Sequence, residues 1–166
     1  EGHGVFAAYL QQQFPALPLE EEGRLGDSAL RENFIQRVFV MQRWRDLCRV
    51  GLSIHGLMVF HSRHKLIAMS HNQNLARELG RLVAEARADN LQHVAQRYLI
   101  ELMSCLKIVV TRGNHVNVLQ HIQGYLKTSL DSDDKQELVE VIESYRQGNV
   151  PLIVPLTLLR HHFRRQ

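Results

Sequence analysis

The segment 111–127, TRGNHVNVLQHIQGYLK, gathers side chains that can bind an anion or a nucleic-acid base. In a helix with about 100° between successive residues, two asparagines, one histidine, one glycine and one threonine of this region fall on one stripe. This stripe consists of Asn114, Asn117, His121, Gly124 and Thr128. Arg112 precedes the first turn, where free backbone N–H groups and the helix dipole also favour negative charge. The spacing therefore predicts contact with phosphate groups along a helix.

Two residues of this segment each allow two interpretations. His115 falls in the middle of the apolar face, where it is either a buried histidine bonded to a neighbouring element or a ligand-binding group. Gly124 costs about 1 kcal/mol relative to alanine inside a helix. A glycine at that position allows close approach either by another helix or by the backbone of a ligand.

The histidine and cysteine spacings predict no metal site. His115 and His121 do not converge on one helix face, and His61 and His64 lack an accompanying carboxylate. Neither cysteine belongs to a CxxC pair, so no iron–sulfur or zinc–thiolate site is expected within this chain. Nucleophile-elbow, P-loop, dinucleotide and zinc-protease motifs are also missing. We therefore expect no catalytic residue, metal ligand or cofactor in this chain.

Positive charge is concentrated in the body of the chain. Residues 1–30 hold five acids against one arginine, a net charge of −4, whereas residues 31–166 hold 19 Lys/Arg against 12 Asp/Glu, a net charge of +7. Such a balance favours polyanionic partners, whose bound counterions are released by each cationic contact. The cationic groups beyond the opening segment include Arg37, Arg43, Arg45, Arg49, Arg63, Lys65, Arg160, Arg164 and Arg165.

The wider pattern predicts an all-α fold, a multi-helix bundle of about six to eight helices. Residues 5–14 form a short helix candidate, and prolines and glycines then break the pattern up to residue 26. From there on apolar residues recur at helical spacing, and Asp27 or Ser28 and Ser53 can cap the next two helices. The residues placed inward on the first long helix are Phe34, Ile35, Val38, Met41 and Trp44.

The C-terminal third predicts three further helices. The opening segment is expected to be helical over 114–129, with Tyr125 on its apolar face. Asp131 can cap the next helix, and Gly148 stands where a left-handed terminating residue belongs. The connector VPLIVP is expected to be extended, with Pro155 in the first turn of a last short helix.

The sequence also leads to expectations about the cellular compartment of the protein and about the ends of the chain. No run of apolar residues is long enough to span a bilayer, so we expect no membrane partner. Two isolated cysteines fit a reducing cytoplasm. The chain begins without methionine or a basic leader, which indicates a piece of a longer protein or a processed chain without a signal peptide.

Four segments resemble the YbgA family, a domain of unknown function: RENFIQRVFVMQRW (31–44), HKLIAMSHNQNLARELGRLVA (64–84), TRGNHVNVLQHIQGYLK (111–127) and YRQGNVPLIVPLTLLRHHF (145–163). The first 25 residues resemble the closing segment of a thiouracil desulfidase-type domain, which precedes a YbgA-like domain in many bacterial proteins. The resemblance therefore implies two parts. Residues 1–26 would be the tail of a preceding desulfidase-type domain, and residues 27–166 the YbgA-like helical domain.

The fused proteins look like tRNA 4-thiouridine desulfidases, in which the N-terminal domain carries an iron–sulfur cluster and the YbgA-like domain helps to bind tRNA. This chain lacks the cysteine-bearing domain, so the resemblance implies a tRNA-binding accessory domain that is not itself catalytic. Its expected partners are tRNA and the preceding desulfidase domain. The matched positions expected to contact RNA are His64, Lys65, His71, Arg112, His115, Asn117, His121, Lys127, Arg160 and His161.

Two other classes of function stay open. In the first, the stripe around Gly124 packs against a partner domain or a second copy, which makes the chain a protein–protein or dimerisation module. In the second, His115, His121 and Arg112 act together in an unrecognised enzyme on phosphate esters. Mutual geometry distinguishes the second class, because those three side chains would have to open into one pocket.

Overall fold

A computed structural model describes residues 4–165 and is all-α over that range. A short 3-10 helix at Glu22–Gly26 accompanies eight α-helices within these described residues. The α-helices are α1 (Val5–Gln13), α2 (Ser28–Val50), α3 (Ile54–His71), α4 (Gln73–Ala84), α5 (Leu91–Leu106), α6 (Arg112–Tyr125), α7 (Ser132–Gln147) and α8 (Ile153–Arg164). The all-α prediction is confirmed. Within the described part of the chain, no helix is both long and apolar enough to cross a membrane.

The chain divides into two compact units between Val110 and Thr111. In the first unit α3 packs against α2, α4 and α5, around a core that includes Trp44, Phe60 and Tyr98. In the second unit α6, α7 and α8 pack against one another, around a separate core that includes Leu119, Leu138 and Leu159. The expected boundary near residue 26 stays a prediction, and the ends of the predicted domains, residues 1–3 and 166, lie outside the described residues.

Four helix ends occur where local chemistry predicts them. Asp27 accepts hydrogen bonds from the backbone N–H groups of residues 29 and 30, at 2.8 and 3.0 Å, and so starts α2. Ser53 accepts from Gly56 N at 3.0 Å to start α3. Asp131 accepts from the backbone N–H of residue 134 at 2.8 Å, and Gly148, with φ of 90°, ends α7. These short-range predictions are confirmed.

The buried face of α2 differs from the predicted one. Ile35 and Val38 are 46% and 43% exposed, whereas Asn33 and Arg37 are buried. The Asn33 amide donates to Leu106 O at 2.8 Å, and Arg37 forms an ion pair at 2.9 Å with Glu20. Polar side chains occupy this face because partners distant in sequence satisfy their hydrogen bonds. The inward placement of Ile35 and Val38 is wrong for that reason.

Two predicted boundaries in the second unit also shift. Helix α6 ends at Tyr125 instead of continuing to residue 129, and α8 begins at Ile153, ahead of Pro155. The connector VPLIVP is therefore partly helical. A proline near the start of a helix is tolerated because the first N–H groups have no intrahelical acceptor.

Candidate nucleic-acid interface

Packing on one side of α6 leaves its other side open. The helix starts at Thr111, whose hydroxyl accepts from Asn114 N at 3.2 Å, and it buries Val116 and Leu119 in the second core. The opposite side and the turn that follows it are exposed. We call this surface the α6 face; its residues are Asn117, Gln120, His121, Gly124, Tyr125, Lys127 and Thr128. Residues 107–130 contain no aspartate or glutamate, so the only formal charge on the face is positive.

An exposed pair of aromatic rings lies in the middle of the α6 face. The His121 ring nitrogen Nε2 and the Tyr125 hydroxyl are 3.0 Å apart, and the ring centroids are separated by 5.2 Å at an interplanar angle of 83°. Tyr125 is 52% exposed, which corrects its predicted place on the apolar face. Exposed rings of this kind can stack on unpaired bases, because every base offers a π-face.

Gly124 leaves open space beside these rings. Apart from its two chain neighbours and the backbone of its own helix, a Cβ built on Gly124 would meet no atom within 4 Å in the described chain. The close approach that a glycine allows is therefore not made by another helix within this part of the chain. The space is available to a molecule that approaches the α6 face from outside.

Arg112 is exposed, and its side chain also has a structural role that the sequence pattern did not indicate. Its guanidinium donates to Tyr145 O at 2.6 Å and lies over the Tyr145 ring, 4.9 Å from the centroid. It also contacts the position where a Gly148 Cβ would be. A cation at a helix C-terminus satisfies a free carbonyl and the negative end of the dipole. Arg112 therefore holds the start of α6 against the end of α7.

His115 is also engaged by Tyr145. Its Nδ1 and the Tyr145 hydroxyl are 2.8 Å apart, and the His115 side chain is half-buried. Burial raises the pKa of Tyr145, while the nearby Arg112 guanidinium lowers it. Of the two interpretations of His115, the structure favours the histidine bonded to a neighbouring element.

Two of the predicted RNA contacts in the first unit lie in its interior. His64 is 3% exposed, and its Nδ1 donates to Phe60 O at 2.7 Å. His71 is 1% exposed; one ring nitrogen bonds to Ile108 O and the other lies 2.6 Å from Gln36 Oε1. Neither side chain can reach an RNA without a rearrangement of the core, so we assign both to the packing of the unit.

The other cationic group predicted in the first unit, Lys65, is half-buried and lines a small cavity with His61. The lining of a separate groove of about 440 Å³ between α2 and α3 includes Arg43, Asp46, Arg63 and His64. Burial lowers the pKa of His64, and the charges of Arg43 and Arg63 lower it further. Arginines outnumber acids in this groove, and His64 is the one residue of its lining that we expected from the sequence to contact RNA.

Helix α8 adds a second cationic surface to the second unit. Arg160 and His161 are exposed, as predicted, and Arg164 and Arg165 follow them at the surface. No acid occurs after Glu143 in the sequence. Helix α8 packs against both α6 and α7, and all three helices of the second unit carry exposed cations, at Arg112, Arg146 and Arg160.

Comparison with known proteins assigns the chain to a family. Residues 65–166 match the model of the family described as Protein of unknown function (DUF1722). The chain belongs to this family. It is similar to the Uncharacterized protein YbgA of Escherichia coli (strain K12), with 35% identity over 127 residues that cover 76% of this chain and 75% of that protein. No solved structure matches the chain.

The family match covers the whole of the second unit and part of the first. It includes every predicted RNA-contact residue except His64. The resemblance to YbgA is therefore confirmed. The relation to tRNA, the desulfidase context and the cytoplasmic location stay predictions.

Proposed function

We propose that this chain is a non-catalytic tRNA-binding domain, cytoplasmic, which acts beside a desulfidase-type domain. The observation that carries the proposal is the α6 face. It combines the exposed ring pair of His121 and Tyr125 with neighbouring amides, one lysine and an open glycine, on a stretch of chain without acids. Single-stranded RNA regions are recognised by this combination of stacking, amide hydrogen bonds and phosphate contacts.

Each group on the α6 face has a separate task. Lys127 meets a phosphate and releases counterions, which supplies affinity that depends on salt. Asn117 and Gln120 offer both donors and acceptors to sugar hydroxyls and base edges. The rings of His121 and Tyr125 stack on bases, while the open space at Gly124 lets the RNA backbone come near.

The cations of α8 supplement this surface. Arg160 and His161 contact further phosphates, and neither has an acidic neighbour in the same helix. Arg112 and His115 support the interface indirectly, because their bonds to Tyr145 hold α6 against α7. A face held by such contacts loses little conformational entropy when it binds.

The direct test is a filter-binding titration of the full chain with bulk tRNA at two salt concentrations, about 50 and 200 mM. We expect saturable binding that weakens at the higher salt. The double variant His121→Ala/Tyr125→Ala should bind much more weakly at both salts and keep its helical circular-dichroism spectrum. Wild-type protein that fails to bind even at the lower salt would count decisively against the proposal.

A second candidate function is a protein–protein module, and α1 favours it. None of the nine residues of α1 is buried, and its exposed apolar side chains include Val5, Phe6 and Tyr9. A helix this short is not stable in water by itself, so apolar contact with a partner would explain it. The partner would be the preceding desulfidase domain or a second copy of the chain.

Light scattering distinguishes this module from the RNA-binding domain. The mass is measured for the chain alone and for a mixture with the separate desulfidase domain. A mass above that of the single chain is expected only if α1 or the α6 face docks on protein. Gly124→Leu should abolish association and spare RNA affinity if the α6 face is a protein contact. The third class, an enzyme that uses His115, His121 and Arg112, is not favoured, because Tyr145 engages His115 and Arg112 while His121 bonds to Tyr125.

A further inference from the structure

Three potential metal ligands meet between α7 and α8. Asp134 and Glu137 are three residues apart on α7 and therefore share one face of the helix. His162 of α8 approaches them from the side. One oxygen of each carboxylate and one ring nitrogen of His162 all lie within 4.8 Å of one another. Within this cluster, Asp134 Oδ2 and His162 Nδ1 are 3.9 Å apart.

The burial of His162 without a hydrogen-bond partner is a second observation that points to a ligand at this cluster. The side chain is 3% exposed, and its Nε2 has no hydrogen-bond partner in the described chain. The other nitrogen, 3.9 Å from Asp134, is too far away for a hydrogen bond to that carboxylate. Native proteins pair nearly all buried polar side chains, and an ion bound at Nδ1, the nitrogen nearest Asp134, would give this buried ring a partner that no protein group supplies.

Electrostatics at the start of α7 supports a bound cation. The positive end of a helix dipole alone would repel it. Asp131 accepts the Asp134 N–H at 2.8 Å, so a carboxylate already opposes the dipole there. The two acids of the cluster add negative charge, and Asp133 adds more beside them. Glu137 is exposed, which leaves the site open to solvent on one side.

We propose that Asp134, Glu137 and His162 bind a divalent transition-metal ion of the Zn²⁺ or Mn²⁺ class. Two carboxylate oxygens and one imidazole nitrogen form a mixed donor set that suits such ions, and water completes the coordination. Metal–ligand distances of about 2.0–2.2 Å require the donors to move closer together by roughly an ångström, which side-chain rotation can supply. The ion links α7 to α8 immediately beside His161. This site is independent of the proposed RNA binding.

Isothermal titration of the metal-free full chain with ZnCl₂, and in parallel with MnCl₂ and MgCl₂, tests the site. We expect one tight Zn²⁺ or Mn²⁺ per chain and weaker binding of Mg²⁺, which prefers an all-oxygen octahedral site. Glu137→Gln, at an exposed position that leaves the core intact, should weaken binding at least about tenfold, as even outer-shell partners can. His162→Gln should remove the tight site.

Matched controls come from the same helix. Asp133→Asn and Glu140→Gln each remove one acid outside the cluster and should leave the affinity within about twofold. Zn²⁺ should also raise the melting temperature of the wild type and of both controls, and should raise that of Glu137→Gln by less at the same Zn²⁺ concentration. If His162→Gln does not fold, Glu137→Gln and Asp134→Asn decide the question. Absence of saturable binding, or equal affinity in the wild type and Glu137→Gln, would overturn the proposal and leave an ordinary His–Asp pair.

Discussion

Four histidines that were predicted to contact RNA have opposite environments in the two units. In the first unit His64 and His71 lie in the interior and bond to backbone carbonyls. In the second unit His121 and His161 are exposed at the surface. All four stand in helices among polar neighbours, and all four were predicted as RNA contacts. The difference shows that residue type and spacing indicate which side chains can bind a ligand, whereas packing decides which of them can reach one.

The number of helices around each element explains the contrast. Helix α3 packs against α2, α4 and α5, so most of its circumference is covered and even its polar residues must find partners inside. Helix α6 packs against only α7 and α8 within its unit, and one side stays open to solvent. Contacts with two neighbouring helices cover the apolar stripe of α6 and leave its polar face exposed.

Replacement of a buried histidine should have the largest effect. His71→Ala removes the partner of Ile108 O and of Gln36 and leaves a cavity, so we expect the free energy of unfolding to fall by about 2–4 kcal/mol. Urea unfolding followed by circular dichroism measures it. His121→Ala, at an exposed position, should change stability by less than about 0.5 kcal/mol. Similar losses in the two variants would remove the contrast between the units.

For RNA affinity, in contrast to stability, we expect the larger effect from replacing an exposed residue of the second unit. Tyr125→Ala removes one stacking ring from the α6 face, and we expect the tRNA affinity to fall by about 1–3 kcal/mol, the value of one stacked base. Fluorescence anisotropy with labelled tRNA measures the change. Tyr9→Ala, which removes a similarly exposed tyrosine from α1, serves as the control and should bind like the wild type. A loss of affinity in the control would move the interface away from α6.

Acid should destabilise the first unit through its interior histidines. Burial lowers the pKa values of His61 and His64 below their usual 6.5. The unfolded chain then binds more protons than the folded one as the pH falls through 6.5, so stability decreases in that window and is fully present above it. Thermal unfolding between neutral and mildly acidic pH should show this decrease. His64→Asn should reduce the slope, and an unchanged slope would contradict the assignment.

The smallest expected effect concerns the salt dependence of binding. Lys127→Gln should reduce the slope of log affinity against log salt by about 0.7, the value for one contact to a single strand. Lys65→Gln should change it less, because Lys65 is half-buried in the first unit. Filter binding of both variants over a salt series gives the two slopes. Equal reductions would show that both units contact the RNA.

Local signals predicted much of the fold. The caps at Asp27, Ser53 and Asp131 and the terminating Gly148 depend on hydrogen bonds and backbone angles within a few residues, so a single sequence contains the information. The exposed amide at Asn117 was predicted in the same way, because it lies opposite the apolar stripe of its own helix.

Long-range partners explain the features that local patterns did not indicate. The burial of Arg37 depends on Glu20, and the engagement of Arg112 depends on Tyr145. The approach of His162 to the acids of α7 follows from the packing of two helices, which no spacing along the chain shows. In each case the deciding contact joins residues that are distant in sequence.

The amino-acid sequence by itself determined the all-α class, the helix ends that have a capping residue and the family, because helical periodicity, capping and segment similarity are properties of neighbouring residues. The tertiary structure alone decided which cations and histidines face solvent. A polar side chain can be buried whenever another element supplies its hydrogen bonds, so exposure depends on the packing of the whole unit. For the same reason, only the folded chain shows the α6 face and the three ligands between α7 and α8.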